Sequence, residues 1–217
     1  MNSSDRTTYH IKQLIVGQMQ ENCYLLIDDG TNQAIIIDPG DDPEYITDTV
    51  VGLAVTPTAI VATHGHFDHV MAAFALQHTF TVPFYANPKD QFLLDHMEES
   101  AKHFLGVPRT DPAPIITNTL RQDAMVHVGD LTFQAVSTPG HTPGSVSLVT
   151  YDKKMVFVGD LIFRDGGVGR TDFSYSDKKI LQESVNKILA FPDETILYPG
   201  HGEPTTIGRE KMYHRAT

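Results

Sequence analysis

The sequence predicts a mixed α/β or α+β fold in which helices cover β-sheets. Nine short apolar runs, many of them rich in β-branched residues, have the length and composition typical of strands. Four stretches with helical spacing lie between these runs, at residues 42–54, 68–80, 87–97 and 177–190. Because helices and strands alternate through the later part of the chain, the pattern favours mixed sheets packed against helices.

The strand predictions include a hairpin near the N-terminus. The segment NCYLLIDDGTNQAIIID contains two apolar runs joined by Asp28, Asp29 and Gly30, which are residue types that favour a turn. We expect these two strands to pair antiparallel, with Cys23, the single cysteine, as a small buried apolar residue. The remaining strand candidates are HIKQLIV before the hairpin and TAIVAT, VPFYA, LTFQAVS, SVSLVTY, KMVFVG and TILYPG after it.

The last predicted helix has a recognisable start signal. Ser176 precedes DKKILQESVNKILAF and is a residue type that caps helix N-termini. Residues 98–120 contain three prolines and no clear helix or strand period, which predicts a long surface loop. Long loops beside a rigid scaffold often shape binding sites.

The composition excludes several classes of protein. The 217 residues are 41% hydrophobic without a linker-like stretch, so we expect a single domain over residues 1–217. The formal net charge is −11 and the basic residues do not cluster, which argues against nucleic acid as a partner. No apolar run approaches the roughly 20 residues that span a bilayer, and MNSSDRTTYH lacks the apolar core of a signal peptide. These features predict a cytoplasmic protein with no membrane partner.

The clearest functional signal is a cluster of histidines directly after a predicted strand. Residues 64–69 read HGHFDH, and Gly65 allows a sharp turn between the first two histidines. His64 and His66 can therefore converge on one metal ion, while Asp68 and His69 can face a second. Donors of these types suit zinc, iron or manganese. One tetrahedral ion cannot use four donors packed so closely, so further ligands are expected elsewhere.

Three later strand ends supply further candidate ligands. His141 in STPGHTPGS and His201 in LYPGHGEP each follow a Pro-Gly turn, and Asp160 follows Gly159 at the end of KMVFVG. Since active sites commonly form where several loops converge, we expect these residues to meet the HGHFDH cluster at one edge. The remaining histidines lack such contexts and are assigned ordinary surface or core roles: His10, His78, His96, His103, His127 and His214.

These motifs resemble those of the metallo-β-lactamase superfamily, and within it the short glyoxalase II-like hydrolases of the hydroxyacylglutathione hydrolase type. THGHFDH, STPGHTPGS, VFVGDLIF with GGVGRTDF, and YPGHGEPTTIG occur in the family's order over residues 63–208, and NCYLL and IIIDPG also match upstream. The resemblance implies an αβ/βα four-layer sandwich with two mixed β-sheets and helices on the outer faces.

The resemblance also implies two divalent metal ions, with zinc expected first and iron or manganese as alternatives. Each ion would have three ligands of its own, and a carboxylate would bridge them: His64, His66 and His141; Asp68, His69 and His201; and Asp160 as the bridge. The two aspartates are thereby the expected catalytic carboxylates. Arg170 in GVGRTDF stands where relatives place a basic residue that contacts a glutathione carboxylate, although a surface salt bridge explains it equally well.

Such a centre predicts hydrolysis of a thioester, most directly of an S-2-hydroxyacyl-glutathione. Water bound to a divalent ion has its pKa lowered to about 7, so a hydroxide bridging the ions could attack an acyl carbonyl. The positive centre would stabilise the resulting oxyanion. A thiolate with a pKa of about 8.5 departs without an obligatory proton donor. This chemistry fits a chain in which GSVSL lacks the G-x-S-x-G nucleophile elbow.

Other activities on the same scaffold stay open. An iron-dependent persulfide dioxygenase shares GRTDF but differs after the last histidine, and lactone or β-lactam hydrolysis is chemically possible at the same centre. The surplus of ligands argues against a non-enzymatic metal-binding protein, and the acidic charge argues against a nuclease. Full-length glyoxalase II proteins add a helical C-terminal region with further glutathione contacts, and we expect no counterpart of it in the short stretch after Gly208. The acyl and thiol parts of the substrate, and the oligomeric state, therefore stay open.

Overall fold

Two six-stranded mixed sheets form the centre of the protein. The structure is a computed structural model and describes residues 9–150, 152 and 154–214. The strands of the first sheet lie in chain order: β1 (Tyr9–Val16), β2 (Glu21–Asp28), β3 (Gln33–Ile37), β4 (Thr56–Val61), β5 (Phe84–Ala86) and β6 (Asn118–Thr119). The second sheet also follows chain order across its width: β7 (Met125–Val128), β8 (Leu131–Ser137), β9 (Val146–Thr150), β10 (Met155–Gly159), β11 (Ile196–Pro199) and β12 (Thr205–Thr206).

Helices cover the outer faces of both sheets, and three apolar cores separate the four layers. One core lies between the first sheet and its helices, a second between the two sheets, and a third between the second sheet and its helices. The predicted αβ/βα four-layer sandwich is confirmed. The helices are α1 (Pro43–Gly52), α2 (Phe67–Val70), α3 (Ala73–Phe80), α4 (Gln91–Asp95), α5 (Met97–Leu105), α6 (Lys178–Leu189) and α7 (Ile207–His214).

Strand β2 shows why the apolar runs are nearly continuous. Leu25 and Ile27 pack into the core beneath the outer helices, whereas Tyr24 and Leu26 pack into the core between the sheets. Because successive side chains of a strand point to opposite faces, a strand buried on both faces needs apolar residues at every position. Cys23 is buried and unpaired in the first of these cores, as predicted.

The structure contains all nine predicted strands and the early hairpin. β2 and β3 pair antiparallel, and the carboxylate of Asp28 accepts a hydrogen bond of 2.8 Å from the amide of Gly30 in the turn. The strands β6, β7 and β12 were not predicted, because two to four residues are too few to show a period of two.

Two local predictions are wrong. The stretch 98–120 is not a loop throughout, because α5 occupies its first part: Met97 and Ala101 are buried one turn apart, and Gly106 ends the helix with a φ of 70°. Ser176 is not the cap of α6. The carboxylate of Asp177 accepts from the amides of Lys179 and Ile180 instead.

Residues 1–8, which include most of the segment predicted to lack a signal-peptide core, lie outside the described residues. In the part of the chain that the structure describes, no helix has the length and apolar character needed to cross a bilayer.

Helix α7 fixes the turn that follows β10. Glu210 is fully buried, and its carboxylate accepts hydrogen bonds from the amides of Asp165 and Gly166, at 3.2 and 2.8 Å, and from the hydroxyl of Thr205. Hydrogen bonds to a charged acceptor are stronger than neutral ones. The turn continues into residues 167–170, so α7 supports a segment beside the predicted ligands.

Replacing Glu210 by Gln is expected to lower the free energy of unfolding by about 1–3 kcal/mol, because an amide NH₂ group would face N–H or O–H donors. Urea unfolding of the metal-free proteins measures the change. Glu183→Gln is the matched control, since Glu183 is exposed on α6. Equal unfolding free energies for the two variants would contradict the assignment.

Candidate metal centre

The four segments that carry the predicted ligands meet at one edge of the two sheets. His64 to His69 follow β4, while the other three residues follow β8, β10 and β11. All seven side chains have donor atoms that approach a neighbouring candidate ligand to 4 Å or less. The convergence expected from the sequence is therefore present. The remaining six histidines, all within the described residues, lie outside the cavity above this cluster.

The first group contains three histidines whose ring nitrogens point at one another. Nδ1 of His66 lies 3.2 Å from Nε2 of His64 and 2.9 Å from Nε2 of His141. A neutral imidazole has one N–H group and one lone pair. Whether the space between these three nitrogens can receive a cation therefore depends on which nitrogen of each ring carries the hydrogen.

Partners outside the cluster determine that choice. Nδ1 of His141 donates to the carbonyl oxygen of Arg170 at 2.8 Å, and Nδ1 of His64 lies 3.1 Å from the hydroxyl of Thr63. The Thr63 hydroxyl donates to Asp38 at 2.7 Å, so its oxygen accepts from His64. Both rings thus carry their hydrogen on the outer nitrogen and direct a lone pair inward, as metal-binding histidines do.

The second group contains Asp68, His69 and His201. Nε2 of His201 lies 3.4 Å from the carboxylate of Asp68, and Nδ1 of His69 donates to Asp38 at 3.2 Å. When the ring is neutral, Nε2 of His69 therefore carries the lone pair, 3.4 Å from Oδ1 of Asp160. Both of these atoms are buried without a hydrogen-bond partner among the described residues.

Asp160 lies between the two groups. Its Oδ2 is 3.6 Å from Nε2 of His141 in the first group and 3.8 Å from Nε2 of His201 in the second. Gly200 makes this approach feasible, because a Cβ atom there would lie 2.4 Å from Oδ1 of Asp160 and 2.5 Å from the ring of His69. The position of Asp160 is that of a carboxylate able to contact two ions.

This set of donors fits two divalent cations. A buried polar atom without a hydrogen-bond partner raises the free energy of the folded state. A positive charge placed among the inward lone pairs and the carboxylate would lower it. Four overlapping triads among the described residues could hold a metal ion, and two of them are the three histidines of the first group and the set Asp68, His69 and His201. Nitrogen and oxygen donors without thiolate are compatible with zinc, iron and manganese alike.

The two groups differ in how readily they release protons. Burial lowers the pKa of His64 well below its ordinary value, and burial with the nearby His141 lowers that of His66 to about 3. Burial acts in the same direction on His69 and His201, but the carboxylates outweigh it and raise both pKa values, with Asp160 dominating at His69 and Asp68 at His201. The pKa of Asp160 is correspondingly well below its usual range: burial would raise it, but the charge of His69 outweighs that effect.

Asp90 joins the two loops that carry the first group. One carboxylate oxygen accepts from the amide of Gly144 at 2.6 Å, and the other accepts from the amide of Gly65 at 3.0 Å and the hydroxyl of Thr142 at 2.7 Å. Burial raises the pKa of Asp90, an effect that these three bonds only partly offset. The HGH turn and the loop of His141 are thereby held to a common, buried point.

Glu21 is a second buried carboxyl group at the site. It is 1% exposed, neither oxygen has a hydrogen-bond partner among the described residues, and Oε1 lies 3.7 Å from Nδ1 of His69. Burial is the main cause that raises its pKa well above the ordinary value. The neutral form is therefore favoured, which removes the cost of an unpaired buried charge.

A cavity of about 310 Å³ opens above the candidate ligands. Apolar and aromatic side chains form most of its wall, and His66, Asp68, His141, Asp160 and His201 form its floor. The wall residues include Met19, Phe67, Leu93, Phe104, Phe163, Phe173 and Tyr175. Helix α5, which the sequence did not predict, contributes Phe104 and Ser100.

Arg170 also lines the cavity, and it forms the salt bridge that was the alternative interpretation. Its guanidinium donates two hydrogen bonds to Asp172, at 2.9 and 2.7 Å, and lies 4.7 Å from the ring centre of Phe173. The position of Arg170 is therefore compatible with a contact to a substrate carboxylate as well as with the salt bridge.

The residues that orient the ligands were not predicted. Asp38 lies in the IIIDPG segment, whose match to the family offered a signal. Nothing in the spacing of Thr63 or Tyr175 indicated a contact with a histidine, and nothing indicated that Asp90 joins two ligand loops. These contacts join residues up to 109 positions apart in the sequence.

Comparison with known proteins agrees with this geometry. The family model described as Metallo-beta-lactamase superfamily matches residues 16–201. The chain belongs to the metallo-β-lactamase superfamily. Proteins of this superfamily are typically metal-dependent hydrolases.

Metallo-β-lactamase relatives match nearly the whole chain. Hydroxyacylglutathione hydrolase GloC from Haemophilus influenzae is 38% identical over 205 residues, which cover 93% of this chain and 95% of that protein. The crystal structure of the BLEG-1 B3 metallo-β-lactamase is 37% identical with a TM-score of 0.86, covering 94% of this chain and 98% of that chain. The crystal structure of TTHA1623 in a di-iron-bound form is 35% identical with a TM-score of 0.82, covering 93% and 96% of the respective chains.

Replacing Asp90 by Asn is expected to lower the free energy of unfolding by about 1–3 kcal/mol, because the amide NH₂ would face amide or hydroxyl donors. Chemical denaturation of the metal-free protein measures this loss. Asp95→Asn is the control, since Asp95 is exposed on α4 and accepts from Gln91 alone in its helix. An unfolding free energy equal to that of the control would show that Asp90 does not join the two loops.

Metal binding is expected to depend on pH mainly at the second group. The raised pKa values of His69 and His201 mean that an ion must displace protons there, so its affinity falls as the pH falls below those values, by up to about tenfold per pH unit for each proton. His64 and His66, with lowered pKa values, are already neutral near pH 7. Zinc titrations against a chelator at pH 6 and pH 8 test this, and equal pH dependence of both binding steps would contradict it.

Proposed function

We propose that the protein is a binuclear metal-dependent thioesterase that hydrolyses S-2-hydroxyacyl-glutathione or a related small thioester. The main support is the pair of donor groups, joined by Asp160 and lying at the floor of an aromatic-walled cavity. The similarity to hydroxyacylglutathione hydrolase GloC and the GEPTTIG run after His201 favour a thioester among the substrates of such centres.

The proposed ligands divide as the family resemblance implies. The first ion would be held by the three histidines of the first group, the second by the second group, and both by Asp160. Divalent ions in such a centre polarise a carbonyl group and lower the pKa of water to about 7. Zinc is the first candidate, and iron is supported by the di-iron-bound form of a related protein.

The chain's own residues would contribute charge balance and exclusion of water. Asp68 and Asp160 bring two negative charges to the centre, so that a divalent pair keeps a net positive charge toward an acyl oxygen. The aromatic wall, including Phe104 and Phe163, limits water around the scissile bond. No side chain needs to protonate a thiolate leaving group, which fits a cavity whose floor is made of ligands.

A panel of substrates with metal analysis tests the proposal. The protein loaded with zinc, or with iron, is offered S-lactoylglutathione, a neutral S-lactoyl thioester, a lactone and a β-lactam. We expect hydrolysis of thioesters, its loss after treatment with a chelator, and its return with divalent metal. Intact thioesters under all of these conditions would refute the proposal. Hydrolysis of the β-lactam alone would instead assign the function that the similar B3 metallo-β-lactamase has by name.

The persulfide dioxygenase alternative predicts a different metal content. It needs one iron per chain and consumes oxygen with glutathione persulfide, whereas two metal ions per chain without oxygen uptake would exclude it. The presence of seven donors in two groups favours the binuclear centre.

We also propose that Arg170 binds a carboxylate of the thiol part. Arg170→Gln is then expected to raise KM for S-lactoylglutathione by about threefold to tenfold, because a charge-assisted hydrogen bond is lost. The kcat value and the hydrolysis of a neutral S-lactoyl thioester should not change. Arg121→Gln serves as the control, since Arg121 is exposed outside the cavity. An unchanged KM would contradict substrate binding by Arg170 and leave the salt bridge to Asp172 as its role.

A further inference from the structure

Tyr175 contacts the outer nitrogen of His66. Its hydroxyl oxygen lies 2.9 Å from Nε2 of that ring, while Nδ1 faces His64 and His141. The lone pair of Nδ1 can point at an ion only when the hydrogen of the neutral ring is on Nε2. In that form Nε2–H donates to the oxygen of Tyr175, so this contact is available to the form of His66 that can bind a metal.

His66 is the most exposed member of the first group. His64 and His141 are buried, and their outer nitrogens contact Thr63 and the main chain of Arg170. His66 is only half-buried, and it precedes α2 without a side-chain capping bond. Its ring therefore has more freedom to rotate than the other two, and one hydrogen bond has a larger effect on its orientation.

Tyr175 is itself held in place. Its ring stacks on Phe173 with centroids 5.2 Å apart and planes inclined by 9°, and Phe92 meets it edge-on at 5.2 Å. The next residue, Ser176, donates from its hydroxyl to the carbonyl oxygen of His141 at 2.8 Å. The segment that carries Tyr175 is therefore anchored to the loop of another candidate ligand.

Neither the family motifs nor the proposed reaction gives Tyr175 a role. It lies two residues beyond the GRTDF segment, and it is no candidate metal ligand. Burial raises its pKa to about 12, so its hydroxyl is intact at neutral pH. With its oxygen accepting from His66, the hydroxyl hydrogen stays available toward the cavity that Tyr175 lines.

We propose that Tyr175 is a positioning residue that holds His66 in its metal-binding orientation and so increases the affinity of the first group for a divalent ion. This inference rests on the proposed ligands but not on the proposed substrate. Failure of thioester hydrolysis would therefore leave it standing, and its own failure would leave the thioesterase proposal intact.

Zinc titration of metal-free Tyr175→Phe against a chromophoric chelator tests the proposal. We expect one of the two binding steps to weaken by about 10- to 100-fold, as is typical when the partner of a metal-bound histidine is removed. The other step should change by less than about threefold. Tyr198→Phe is the matched control: Tyr198 is also half-buried, but its ring stacks on Phe157 between the sheets, and both steps should match those of the parent protein.

Two further measurements separate positioning from a general loss of structure. Thermal unfolding of metal-free Tyr175→Phe should match that of the parent protein, and the zinc-loaded protein should lose one slowly exchanging imidazole N–H signal in its nitrogen-15 NMR spectrum. Unchanged zinc affinity, equal weakening of both steps, or a destabilised metal-free protein would each overturn the proposal.

Discussion

The candidate metal centre depends on hydrogen bonds that hold each buried histidine on the side away from the other candidate ligands. Asp38 fixes His69, while Thr63 and a main-chain carbonyl fix His64 and His141. An imidazole has two nitrogens, and only the one without a hydrogen can bind a metal. Because the outer nitrogen of each ring is occupied, the inner nitrogen carries the lone pair whenever the ring is neutral, and donors from four distant segments can then face the same ions.

The two sheets make this arrangement possible by bringing separate strand ends to one edge. β4 carries the HGHFDH segment from the first sheet, and the ends of β8, β10 and β11 carry the other candidate ligands from the second. The packed core between the sheets fixes the spacing of these ends. The loops are then tied to each other by Asp90 and to the C-terminal helix by Glu210.

Charge is distributed unequally over the centre. The first group is rich in neutral histidines, whereas the second is surrounded by Asp38, Asp68 and Asp160. The carboxylates raise the pKa values of His69 and His201, while burial lowers those of His64 and His66. Two ions bound at such unequal positions would differ in affinity.

The sequence by itself determined nine strands and the seven candidate ligands, and its family resemblance implied the four-layer fold. Runs of apolar residues indicate buried strands. The histidines in HGHFDH and after the Pro-Gly turns indicate a metal site, because few structural roles require histidine at such positions. Only the tertiary structure decided the roles of Asp90 and Tyr175, and that helix α5 forms part of the cavity wall. Those roles depend on contacts between residues far apart in the chain, and no local period or spacing encodes such contacts.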